Sequence, residues 1–151
     1  MKRLVPPSTL WTKKQPRTVV AVSGGFDPVH VGHVRMIAEA AKMGDVVVIA
    51  NSDEWLMRKK GYVFMTWDER QEILYNFKGV VDVYEAIDDD DSVCKTLGKL
   101  KPDIFANGGD RKDNNVPEVA LCNELGIELR WNVGGEKIQS SSELVAKSKE
   151  E

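Results

Sequence analysis

Apolar and polar positions along this chain follow two alternating rhythms. Val19–Val22, Val46–Ala50, Val80–Tyr84, Asp103–Ala106 and Ile127–Val133 are short apolar runs of strand length. Between them, Val34, Ile37, Ala38 and Ala41 recur at helical spacing, and Gly44 stands where a helix C-cap belongs. Thr66-Trp67-Asp68-Glu69 has the Thr-x-x-Glu form of a capping box, which predicts a helix running through Ile73, Leu74 and Phe77. Ser92–Leu100 reads as a helix, and so does Pro117–Leu125, with proline near its start and Gly126 past its end. Strands separated by helices of this length imply right-handed crossovers and a parallel sheet covered on both faces. The expected fold is a Rossmann-like α/β three-layer sandwich with a five-stranded parallel sheet, and its ligand should lie beyond the carboxyl ends of the strands.

Composition narrows this picture. With 151 residues, 42% of them apolar, the chain can bury the core of one ordinary domain. Residues 1–17 differ from the rest, carrying Lys2, Arg3, Lys13, Lys14 and Arg17, three prolines and no acid. They read as an N-terminal arm preceding a domain over 18–151. A net charge of −3 offers no basic surface for nucleic acid. No apolar stretch reaches membrane-spanning length and the start lacks a signal-peptide core, so a cytoplasmic protein without a membrane partner is expected. Cys94 and Cys122 have no metal-ligand spacing and read as reduced core residues. Asp88–Asp91 lacks the alternate spacing of a calcium loop and reads as a solvated turn; no metal site is assigned.

The candidate chemistry begins at Ser23-Gly24-Gly25-Phe26-Asp27-Pro28-Val29-His30-Val31-Gly32-His33, where the first strand gives way to the first helix. Gly24 and Gly25 let main-chain N–H groups approach an anion, and the N-terminus of the following helix favours negative charge. His30 and His33 lie three residues apart, near one face of its first turn. A nucleoside triphosphate suits this corner. No Walker A loop and no Gly-x-Gly-x-x-Gly fingerprint occurs anywhere in the chain.

At these residues the chain resembles the cytidylyltransferase-like family of nucleotidyltransferases, whose signature is a glycine, a Phe-Asp pair and then His-x-Gly-His. Three further stretches carry the resemblance. Lys60-Gly61 is similar to the loop lysine that reaches the phosphates, with Lys59 an alternative, and Arg70 is similar to the arginine of a Glu-Arg pair that could touch a ligand or hold an ion pair. Lys101-Pro102-Asp103 through Gly108-Gly109-Asp110 resembles the family's Pro-Asp strand ending in Gly-Gly-Asp or Gly-Asp-Asp, with Arg111 adding charge beside it. Ile138-Gln139-Ser140-Ser141-Ser142 resembles the closing Ile-Ser-Thr-Thr motif, although Gly134, Gly135 and Glu136 stand where glycerol-3-phosphate cytidylyltransferases carry an arginine.

The resemblance implies an enzyme that transfers a nucleotidyl group from ATP or CTP to a phosphorylated small molecule, releasing pyrophosphate with the help of Mg²⁺. His30, His33 and Lys60 would be catalytic. Ser23, Gly24, Gly25, Phe26, Asp27, Gly32, Gly108, Gly109, Asp110, Ser140, Ser141 and Ser142 would bind the nucleotide, and Lys59, Arg70 and Arg111 the acceptor. Asp27-Pro28 and Gly108-Gly109-Asp110 are closer to adenylyltransferases, including those acting on heptose phosphates, which leans the nucleotide towards ATP. The acceptor would be a sugar phosphate or polyol phosphate, and the family implies a homodimer. A cytidylyltransferase making a CDP-alcohol and a non-catalytic nucleotide-binding regulator are the competing readings.

Overall fold

The computed structural model describes residues 17–108, 117–135 and 141–149. Five strands, β1 (Val19–Gly24), β2 (Asp45–Ala50), β3 (Val80–Glu85), β4 (Ile104–Ala106) and β5 (Glu128–Arg130), form one sheet in the order β3-β2-β1-β4-β5. All four pairings are parallel, as the alternation of elements predicts. The chain steps outward from β1 to β3 on one side and then crosses to β4 and β5 on the other. The order therefore reverses between β1 and β4, and their carboxyl ends flank the crevice where such sheets take ligands.

Residues alternate across the sheet with period two, which divides the core into two layers. Val20, Val22, Val46, Val48 and Ala50 face one side, against Ile37 and Ala40 of α1 (Val31–Ala41) and Leu74 of α3 (Trp67–Tyr75). Ala21, Val47, Ile49 and Phe105 face the other, against Leu97 of α4 (Cys94–Leu100) and Cys122 of α5 (Glu118–Leu125). Each fully buried Val, Ile or Leu contributes about 1.5–3 kcal/mol, so the central strands β1 and β2 are a firm platform from which to project a site. Cys94 and Cys122 are free thiols, and burial pushes Cys122 up to about 11, as suits inert core residues.

The structure departs from the sequence reading in four places. Thr66 does cap α3, but its side chain makes no capping hydrogen bond. The segment after β2, read as a loop, is the helix α2 (Asp53–Lys60), opened by Ser52 Oγ accepting from Trp55 N–H at 3.0 Å and closed by Gly61 at φ 82°. The last strand shortens to Glu128–Arg130. Arg17, assigned to the arm, lies 3.3 Å from Asp45 at the start of β2, while residues 1–16 fall outside the described residues.

Gly134 explains one departure from the cytidylyltransferase pattern. Its φ is 89°, and a Cβ there would lie 2.8 Å from the Met36 Cα in α1, so no side chain fits at residue 134. Gly134→Ala should destabilise the fold by about 1–3 kcal/mol, read as a lowered denaturation midpoint, whereas an unchanged midpoint would mean that α1 and residue 134 do not pack this closely.

Candidate active site

The corner after β1 is built by three devices. The first is an unusual helix start. His30 is the N-cap of α1, and its Nδ1 accepts from Gly32 N–H at 3.0 Å, while His33 Nδ1 accepts from His30 N–H at 3.1 Å. The two histidines are thus their own capping box, the feature the sequence reading placed at Thr66 instead. Their rings stack at 3.9 Å. With both Nδ1 atoms accepting from backbone, the neutral tautomer of each ring carries its hydrogen on Nε2, so each imidazole is a fixed N–H donor.

The second device is the Gly25–Phe26–Asp27 turn. Neither Gly24 nor Gly25 takes a left-handed conformation; Phe26 does, at φ 53°, with its ring buried and 4.7 Å from that of His33. A bulky residue in that region marks a backbone held by its surroundings. Gly24 makes room, because a Cβ there would come within 3.3 Å of the Phe26 ring. The side chains of two expected nucleotide ligands turn inward. Phe26 is packing beneath the site, and the Asp27 carboxylate, 0% exposed, accepts from Phe64 N–H at 2.7 Å and from Met65 N–H, pinning the segment between α2 and α3. Gly32 likewise spends its N–H on the His30 cap. Ser23 stays in β1, paired with Ile49.

Arg70 takes the ion-pair alternative. The resemblance allowed it to touch the acceptor, yet it is 0% exposed and donates to four oxygens: Met65 O at 3.0 Å, Gly25 O at 2.8 Å, Asn51 O at 2.6 Å and Asp53 Oδ1 at 2.7 Å. It ties the glycine turn, the end of β2, the start of α2 and the Asp27-pinned segment together. Such a planar fork, with five N–H donors spread over three nitrogens, reaches four separated oxygens at once, whereas a lysine has three donors on a single nitrogen.

The third device is α6 (Ser141–Lys149). Ser141 Oγ donates to the Pro28 carbonyl at 2.8 Å, 113 residues away in sequence, and Lys60 Nζ lies 3.5 Å from Ser142 Oγ. Val145 is buried and Lys149 Nζ stands 5.2 Å from the centre of the Tyr62 ring. Ser141 is thereby tied to the turn just before His30, and Lys60 is brought to its neighbour Ser142. Lys59 instead pairs with Asp91 at 2.8 Å. Gly108 follows Asn107 at the end of β4, whereas Gly109, Asp110, Arg111 and Ser140 lie outside the described residues.

No group of three His, Cys, Asp or Glu residues able to hold a metal occurs among the described residues, and Asp27 is already spent on two N–H groups. The described residues thus build no resident cage for magnesium. No helix among the described residues is long and apolar enough to cross a membrane.

A parallel sheet with a histidine-capped helix at its switch point defines a Rossmann-like α/β domain. The chain belongs to the cytidylyltransferase-like family, whose sequence model matches residues 21–147. It is 38% identical over 112 residues to the bifunctional protein HldE of Streptomyces coelicolor, covering 72% of this chain and 24% of that one. It is 33% identical over 92 residues to the FAD synthase of Ferroglobus placidus, covering 61% of this chain and 59% of that one. The chain thus spans about a quarter of the length of the HldE proteins it matches. Among solved structures, the lipopolysaccharide core biosynthesis protein of Thermoplasma volcanium superposes with a TM-score of 0.61 at 28% identity, over 77% of this chain and 94% of that one.

Proposed function

We propose that the domain is a nucleotidyltransferase that moves an NMP group from ATP, or less favourably from CTP, onto a phosphorylated small molecule such as a sugar phosphate, releasing pyrophosphate. The observation that carries this is the convergence of His30, His33, Lys60, Ser141 and Ser142 beside the N-termini of α1 and α6. The ATP preference draws on the FAD synthase relative, since FAD contains an adenylyl group, and the sugar-phosphate acceptor on the lipopolysaccharide-core neighbour.

An attacking phosphate oxygen of the acceptor forms the new bond to the α-phosphorus as the bond to the bridging oxygen of pyrophosphate breaks. Negative charge grows on that oxygen and on the α-phosphoryl group. The Nε2–H groups of His30 and His33 and the Lys60 ammonium meet this charge, and the α6 N-terminus with Ser141 and Ser142 grips the departing pyrophosphate. No side chain need become a nucleophile, because alignment of acceptor and donor supplies most of the advantage. The triphosphate would carry its own magnesium, whose chemistry would be to neutralise phosphate charge from the substrate side.

Release of pyrophosphate is expected from one of four nucleoside triphosphates with Mg²⁺ only when a phosphorylated acceptor is present. A panel of sugar 1-phosphates, glycerol 3-phosphate, phosphocholine and mononucleotides would name both substrates. Release at the full rate without acceptor would make the protein a hydrolase. Triphosphate affinity with no turnover on any acceptor would establish the regulator reading instead.

A further inference from the structure

The turn Asp88–Asp91 is solvated, as its composition suggests, with Asp89, Asp90 and Asp91 exposed, but it is also held in a fixed shape. Its near end is bolted to α4: the Asp88 carboxylate accepts from Lys95 N–H at 2.6 Å, Thr96 N–H at 3.1 Å and the Thr96 hydroxyl at 2.6 Å, satisfying free N–H groups of the first turn. Asp90 Oδ1 accepts from the Ser92 hydroxyl at 2.8 Å and from Ser92 N–H at 3.0 Å, and these bonds hold its carboxyl below the usual range. Ser92 and Thr96 are both buried. The turn is therefore a shaped surface.

That surface faces α2. Trp55 Nε1–H donates to the Asp90 carbonyl at 3.1 Å, Arg58 donates to the Asp89 carbonyl at 3.2 Å, and Lys59 Nζ meets the Asp91 carboxylate at 2.8 Å. Trp55, Arg58 and Lys59 stand at positions i, i+3 and i+4, along one face of the helix that ends in Arg58-Lys59-Lys60. Consecutive helical residues point about 100° apart, so one partner surface cannot take all three cations. The turn claims Arg58 and Lys59, and the third cation, Lys60, is the one brought to Ser142 of α6.

We infer that Asp88–Asp91 is a strap that sets the rotation of the last turn of α2, and that Asp91 is a positioning residue which, by holding Lys59, aims Lys60 at the transferring phosphate. The inference rests on the transferase role of Lys60 given above. The Lys59–Asp91 pair is exposed, with side chains 51% and 66% accessible, so it contributes little to folding on its own. Its effect should appear in the rate.

The test compares the full chain with Asp91→Lys, Lys59→Glu, the double variant Lys59→Glu/Asp91→Lys, and Lys60→Ala. Readouts are pyrophosphate release from ATP on the acceptor panel, ATP affinity by calorimetry, melting temperature, and hydrogen exchange of amides 57–61. Asp91→Lys should slow turnover about three- to tenfold, change ATP affinity less than about twofold and leave melting within a few degrees, with faster exchange at 57–61. The double variant, which restores the pair with its charges exchanged, should recover turnover to within about twofold. Wild-type turnover in Asp91→Lys, or no recovery in the double variant, while Lys60→Ala is slow, would overturn the strap and leave the transferase role intact. Wild-type turnover in Lys60→Ala, or silence across the acceptor panel, would instead remove the role of Lys60 and the inference with it.

Discussion

Replacing His30 or His33 with alanine should slow turnover by about 10² to 10³ while lowering stability by only about 1 kcal/mol. Two separable jobs set these magnitudes. The Nδ1 atoms close a capping box on α1, and losing such a cap typically costs about 0.5–2 kcal/mol. The Nε2–H groups are preorganised donors towards charge that grows only in the transition state, and one such donor is worth about 2.7–4 kcal/mol of barrier. His30→Asn distinguishes the jobs, since asparagine is a good N-cap but presents no second donor at the distance of Nε2. It should melt near the wild-type temperature and turn over as slowly as His30→Ala. Single-turnover rates and thermal melts of the three variants would decide. Normal rates with a collapsed melt would make both histidines purely structural.

Arg70→Ala should be the most damaging single change to the fold, costing about 3–5 kcal/mol. The guanidinium is fully buried among three carbonyls and the Asp53 carboxylate, so truncation leaves buried acceptors unpaired and a void behind Trp67, whose ring lies 5.7 Å from the guanidinium carbon. Arg70→Lys should recover less than half of the loss, because a single ammonium cannot span Gly25, Asn51, Met65 and Asp53 together. Denaturant midpoints at constant m-value would measure both. A shift under about 1 kcal/mol for Arg70→Ala, together with weakened acceptor affinity, would restore the ligand role that the resemblance allowed.

These two cases show where reading the chain succeeds and where it stops. The histidine corner was legible because everything that builds it is local: a β-run, a glycine turn and two imidazoles at positions i and i+3 of one helix start. The parallel sheet was legible for the same reason, since period-two and helical spacing are properties of a single segment. The sequence left Arg70 open between a ligand and an ion pair and read Asp27 as a ligand, because charge and position are equally compatible with a ligand outside or a backbone inside; their burial and partners were visible only in the fold. The helix α2 escaped because its polar, charged sequence carries little amphipathic signal; Ser52 three residues before Trp55, and Gly61 at its end, were the available signs.

What the sequence alone determined is thus the fold class, the corner at the end of β1 and the set of residue types gathered there. Which residue does what was decided by tertiary structure. Lys59 and Lys60 are neighbours of identical chemistry, and the difference between them comes from an aspartate 32 residues from one and a serine 82 residues from the other. Local propensity acts over a few residues and leaves its mark in spacing. A charge's partner is selected by packing across the whole domain, where about 100° of helix rotation separates the Lys59 ion pair with Asp91 from the Lys60 ammonium beside Ser142.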